Sequence, residues 1–150
     1  MRSARISIAV SDPLWRKVPD ARALCRKAAR AALRAEGREG EIAILLASDA
    51  ELRALNRRFR RKDKPTNVLS FPSGEDAMLG DVALARETIE REARAARLSV
   101  ADHLTHLVVH GVLHLCGHDH KRAREAARME GLEVTILARL GVADPYGRAA

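Results

Sequence analysis

The sequence predicts an α+β fold: a single domain over residues 1–150, with a four-stranded mixed sheet packed by about five or six helices and a central helix that carries histidines. Three observations lead there. Short runs rich in Ile and Val alternate with segments of helical period. There is no internal repeat, low-complexity tract or linker. A chain of 150 residues, 47% hydrophobic and 31% charged, can bury a core without a structural metal or disulfides. Any metal is then expected to serve chemistry.

RISIAV (5–10) and EIAILLAS (41–48) read as strands, and residues 20–37 between them as a helix ended by Gly37. Ser48 to Glu51 has the form of a capping box opening a basic helix, ELRALNRRF, after which Pro65 favours extended backbone. NVLSF (67–71) and DVALA (81–85) are strands of a plausible hairpin, joined by the loop PSGEDAMLG. ETIEREARAARL from Glu87 is helical. A second helix runs from about Val100 to Cys116, with Ser99 as its N-cap and Gly117 past its end. The last helix, EAARMEGLEVTILARL, carries Met129, Leu132, Ile136, Leu137 and Leu140 as a core-facing stripe and closes at Gly141.

The net charge of +7 and pI near 10.2 favour a polyanionic partner. Only 3% of residues are aromatic, so base stacking is weakly signalled. Cys25 and Cys116 form no secreted disulfide pattern, and the first apolar run is about five residues against the roughly 7–15 of a signal peptide. No apolar segment is long enough to span a membrane. A cytoplasmic protein with no membrane partner is expected.

The segment HGVLHLCGHDH (110–120) carries the chemistry. His110 and His114 lie one helical turn apart, the spacing at which two imidazoles grip one ion. His103 and His106 share that face, but a lone histidine on an apolar helix is usually a hydrogen-bonded core residue, and singly they are read so. Gly117 can adopt a left-handed conformation and return His120 toward the first two. Three nitrogen ligands, His110, His114 and His120, leave a position open, the arrangement of catalytic zinc, so one Zn²⁺ is expected. His106 could replace one ligand or support the site from behind. Asp119 could orient a ligand imidazole, take a proton from water, or cap the turn. Cys116 reads as a small buried hydrophobe and His118 as a solvent-facing neighbour.

The spacing agrees with the metzincin pattern H-E-x-x-H-x-x-G-x-x-H at each histidine and at the glycine, but Gly111 stands where the glutamate belongs. A peptidase would lack its general base, which disfavours a metalloprotease. NRRFRRKDKP (56–65) is the densest positive stretch, so Arg57, Arg58, Arg61, Lys62 and Lys64 are candidate RNA contacts. Taken singly, most are read as a solvated helix face running into a turn. An arginine opposite a metal could stabilise a pentacovalent phosphorane.

The motifs H-G-x-L-H-L-x-G-x-D-H (110–120), L-N-x-x-[FY]-R (55–60), D-K-P-T-N-V-L-S-F-P (63–72) and L-G-D (79–81) resemble the YbeY family of bacterial endoribonucleases. M-E-x-L-E (129–133) and D-P-Y-G (144–147) agree as well. The resemblance implies a zinc-dependent, single-strand-specific endoribonuclease of 16S ribosomal RNA 3′-end maturation and ribosome quality control. Its metal ligands fall on His110, His114 and His120, and its functional arginine on Arg60. Implied partners are single-stranded and ribosomal RNA, the small ribosomal subunit and its assembly factors, with no DNA. The rival classes are a metalloprotease and a ribosome-associated factor whose metal is mainly structural.

Overall fold

The computed structural model describes residues 5–60 and 66–147, the side chain of Arg60 excepted. In chain order they form β1 (Arg5–Val10), a 3-10 turn (Pro13–Lys17), α1 (Ala21–Glu36), β2 (Glu41–Ala47), α2 (Asp49–Arg60), β3 (Val68–Pro72), β4 (Met78–Ala85), α3 (Arg86–Ala96), α4 (Val100–Leu115) and α5 (Ala123–Arg139). The strand order is β1-β2-β4-β3. β1 and β4 flank β2 in parallel, and β3 pairs antiparallel with β4, which makes the sheet mixed and the hairpin real.

Alternation along the strands divides the core. Ile42, Ile44 and Leu46 of β2, with Val82 and Leu84 of β4, point to one face and meet α1 and α4. Ala28, Ala29 and Ala32 of α1 are fully buried, and their small side chains let that helix lie close to α4. On the opposite face Ala47, Ala83, Ala85 and Leu69 form a smaller cluster with Leu52 of α2. The sheet is thus covered by helices on both sides, and α4 lies in the middle with nine of its residues buried. Among the described residues no helix is long and apolar enough to cross a membrane.

The predicted caps are present. Ser48 Oγ accepts from Glu51 N, and Glu51 Oε1 accepts from Ser48 N, each at 3.3 Å. Ser99 Oγ accepts from Asp102 N at 3.0 Å. Two elements differ from the sequence reading. β4 begins at Met78, inside the predicted loop, because Glu41 pairs with Met78 and Pro72 with Gly80 on its two sides. The 3-10 turn was not foreseen; it buries Trp15, whose Nε1 donates to the Ala47 carbonyl at 2.8 Å. Pro65 lies outside the described residues.

Candidate metal centre and cleft

The centre is built on the C-terminal end of α4. His110 and His114 are half-buried there, one turn apart. The helix ends in a paired hydrogen-bond closure: Gly117 N donates to the His114 carbonyl at 3.0 Å, and His118 N to the Leu113 carbonyl at 3.1 Å. That closure requires a positive φ, which Gly117 supplies at 101°. The chain then doubles back, and Asp119 Oδ1 accepts from His120 N at 2.7 Å, fixing the turn.

One ligand atom from each of His110, His114 and His120 lies within 4.8 Å of the others. His114 Nε2 and His120 Nδ1 are 3.1 Å apart, close to the roughly 3.3 Å that separates two nitrogen donors around a tetrahedral zinc. Burial, helped by the neighbouring His110 and His120, holds the His114 imidazole down to about pKa 4, so it is neutral at neutral pH with a lone pair to offer. The donor set therefore suits a zinc ion: three clustered imidazoles, at least one held in its ligating form.

Glu133 of α5, which the sequence reading notes only as the last residue of M-E-x-L-E and gives no role, is fully buried. Its Oε2 accepts from His110 Nδ1 at 2.8 Å and its Oε1 from His106 Nε2 at 2.6 Å. Tyr146 Oη donates to Oε1 as well. Burial alone would raise the Glu133 carboxyl, but the hydrogen bonds from His106, His110 and Tyr146 outweigh it and hold the pKa down to about 2. A signal was present in the sequence. Glu133 lies one turn past Met129 and one turn before Ile136 and Leu137, a lone carboxylate on an apolar stripe.

The other candidates separate cleanly. His106 is tied to Glu133 and is not in the three-histidine cluster. His103 bonds Glu92 at 2.9 Å, as a paired core histidine should. His118 is not solvent-facing: its Nε2 meets Glu36 of α1, and only 19% of its side chain is exposed. Asp119 caps the turn. Cys116 is half-buried, and burial pushes its thiol up to about 11, so it is not a thiolate at neutral pH.

Beside the cluster runs a cleft of about 660 Å³. Val68, Ser70 and Pro72 of β3 and Asn56 of α2 form one side, and His110, His114 and residues 117–121 the other. Asp119 is the one carboxylate among the described residues that line it, and Lys121 adds a cation the sequence reading did not single out. Arg57 and Arg58 are exposed on α2 but do not line the cleft. The Arg58 guanidinium lies 5.1 Å from the Phe59 ring centre. Arg61, Lys62 and Lys64 lie outside the described residues, as does the Arg60 side chain.

The sequence matches the family model described as Endoribonuclease YbeY over residues 13–141. It is 50% identical to the Endoribonuclease YbeY of Azorhizobium caulinodans, with 97% of this chain and 98% of that one aligned. Identity to the Rhodospirillum rubrum protein of the same name is 47%, covering 97% and 82%. A solution structure of a Thermotoga maritima protein has a TM-score of 0.60 at 25% identity and is matched over 91% of each chain.

Proposed function

Since the chain belongs to the YbeY family of endoribonucleases, we propose that it is a zinc-dependent endoribonuclease that cuts single-stranded RNA at the three-histidine cluster. The reading extends to maturation of the 3′ end of 16S ribosomal RNA and to ribosome quality control in the cytoplasm, with the small ribosomal subunit and its assembly factors as partners. The observation that carries the chemistry is the convergence of His110, His114 and His120 along one side of the cleft.

In this reading the three imidazoles hold one Zn²⁺, which supplies Lewis acidity toward water or a phosphodiester oxygen. His114, kept neutral by burial, offers its lone pair without first losing a proton. Lys121, on the cleft wall, attracts the backbone of an incoming strand. Arg60, the last residue of α2, stabilises the charge that develops on the phosphorus oxygens. Arg57 and Arg58 extend the positive field beyond the cleft, and Arg61, Lys62 and Lys64 continue it in sequence.

The test is cleavage of an end-labelled single-stranded RNA by the wild type and by His114→Ala, with circular dichroism confirming that both are folded. The expected result is cutting by the wild type alone, abolished by a chelator and restored by zinc. Equal cutting by both proteins would overturn the reading. The product ends distinguish two routes: a 5′-phosphate with a 3′-hydroxyl means attack by water, and a cyclic phosphate means attack by the ribose 2′-hydroxyl.

A further inference from the structure

His103, His106, His110 and His114 recur every three or four residues along one face of α4, yet only the last two join His120 in the cluster. The distinction lies in Glu133. An ionised carboxylate only accepts hydrogen bonds, so every group that touches it must donate. His110 must then carry its proton on Nδ1, which meets Oε2 at 2.8 Å, and a neutral His110 has its lone pair on Nε2 alone. His106 must carry its proton on Nε2, which meets Oε1 at 2.6 Å. Its remaining nitrogen, Nδ1, is buried without a hydrogen-bond partner among the described residues, and His106 is not part of the cluster. Tyr146, from the segment that follows α5, donates to Oε1 and closes the arrangement.

We propose that Glu133 is the positioning residue of the metal centre: one buried carboxylate selects the His110 tautomer that ligates through Nε2 and keeps the Nε2 of His106 engaged as its own donor, away from the cluster. The inference rests on the reading that His110, His114 and His120 hold a metal. Carboxylates that orient ligand imidazoles in this way typically support metal affinity by about 10–100-fold.

Glutamine cannot replace Glu133 in this role. It has one acceptor oxygen, and its amide nitrogen would face an imidazole N–H, forcing that ring to flip or to exchange its proton. The experiment measures Zn²⁺ binding by competition with a chromophoric chelator for the wild type, Glu133→Gln, Glu133→Asp and His106→Gln. Circular dichroism establishes folding, and long-range ¹H–¹⁵N spectra report the histidine tautomers of the wild type. Expected are an Nδ1-protonated His110, a zinc affinity about 10–100-fold weaker in Glu133→Gln, partial recovery in Glu133→Asp, and affinity within about threefold of the wild type in His106→Gln. A folded Glu133→Gln that binds zinc as tightly as the wild type overturns the proposal, as does a His110 protonated on Nε2 in the zinc-bound wild type. If Glu133→Gln does not fold, the wild-type tautomer decides alone. Failure of the wild type itself to bind zinc overturns the metal reading and this inference with it, a result distinct from tight binding by the glutamine variant.

Discussion

Gly111 of α4 lies so close to Val82 of β4 that a Cβ on the glycine would stand 2.8 Å from Val82 Cγ1, with Ser70 Oγ at 3.2 Å. The same approach lets Ser70 Oγ donate to the Gly111 carbonyl at 2.9 Å. Position 111 is where a metzincin would carry its general-base glutamate, and here it faces the sheet rather than the cleft. The missing carboxylate is therefore a consequence of packing. Gly111→Ala should destabilise the domain by up to about 2 kcal/mol, because overpacking against a stiff, buried valine costs about 1–3 kcal/mol against the roughly 1 kcal/mol gained in helix propensity. Gly111→Glu, which restores the protease motif in letters, should fail to fold and show no casein digestion. Urea unfolding checks the first claim; an alanine variant as stable as the wild type would remove the packing argument.

Gly117 tests the opposite mechanism with the same substitution. Nothing lies within 4 Å of a Cβ placed there, so Gly117→Ala meets no clash and is strained only through its φ of 101°. If strain of about 1.4 kcal/mol is relieved by moving the turn that returns His120, zinc affinity falls about tenfold while the core is untouched. Zinc competition and a urea melt of the metal-free protein separate the two effects. A loss confined to stability, with unchanged affinity, would mean the turn does not position His120.

These two glycines mark how far the sequence could be read. The strands and helices were legible because their apolar periods are strong, and the histidine cluster because i, i+4 spacing followed by a glycine turn is a local code. Glu133 was not assigned a role, since it approaches His110 from another helix 23 residues away and only the packing of α4 on α5 joins them. His118 was misread for the same reason: its partner Glu36 lies 82 residues earlier. The 3-10 turn carries a local signal that the sequence reading does not use, Asp12 capping Leu14 N with Pro13 next to it, and the bond from Trp15 to β2 anchors it to the sheet.

The exposed arginines of α2 should act through charge alone. Arg57 and Arg58 lie outside the cleft, so Arg57→Ala with Arg58→Ala is expected to weaken binding of single-stranded RNA uniformly across sequences. If each contacts one phosphate, the log-log salt slope falls by about 1.4, from roughly 0.7 per phosphate. Fluorescence anisotropy over a salt series measures the slope. An unchanged slope would show that the two arginines only solvate the helix.

A buried ion pair away from the site contributes to acid stability. Arg86 Nε donates to Asp12 Oδ2 at 2.7 Å, with the side chains 9% and 10% exposed, and Leu14 N donates to Asp12 Oδ1 at 3.1 Å. Burial pushes the Asp12 carboxyl up, but the bonds from Arg86 and Leu14 hold it below its ordinary 3.8. A carboxylate whose folded pKa is depressed contributes stability that is complete above the unfolded value and is lost as pH falls through the folded one. The loss attributable to Asp12 should therefore begin near 3.8 and deepen below it. Arg86 keeps Glu90 as a second partner, so Asp12→Asn should cost about 2 kcal/mol at neutral pH and make the acid limb of the stability curve shallower. Urea melts of both proteins down to about pH 3 check this; parallel curves would assign the acid limb to other groups.

Removing the metal should leave the fold standing. The side chains that fill the interior, Leu104, Val108, Val112 and Leu113 of α4 among them, are fully buried against the sheet and α1 without help from the histidines, which lie at the edge of that core. The chelated protein is expected to keep its far-ultraviolet circular dichroism and a cooperative melt while losing RNA cleavage. Zinc at about a thousandfold above its Kd adds about 4 kcal/mol by mass action, which for a domain of this size raises Tm by about 10 °C. A chelated protein that is unfolded would instead show that the metal is needed for the fold and favour the reading of a ribosome-associated factor whose metal is mainly structural.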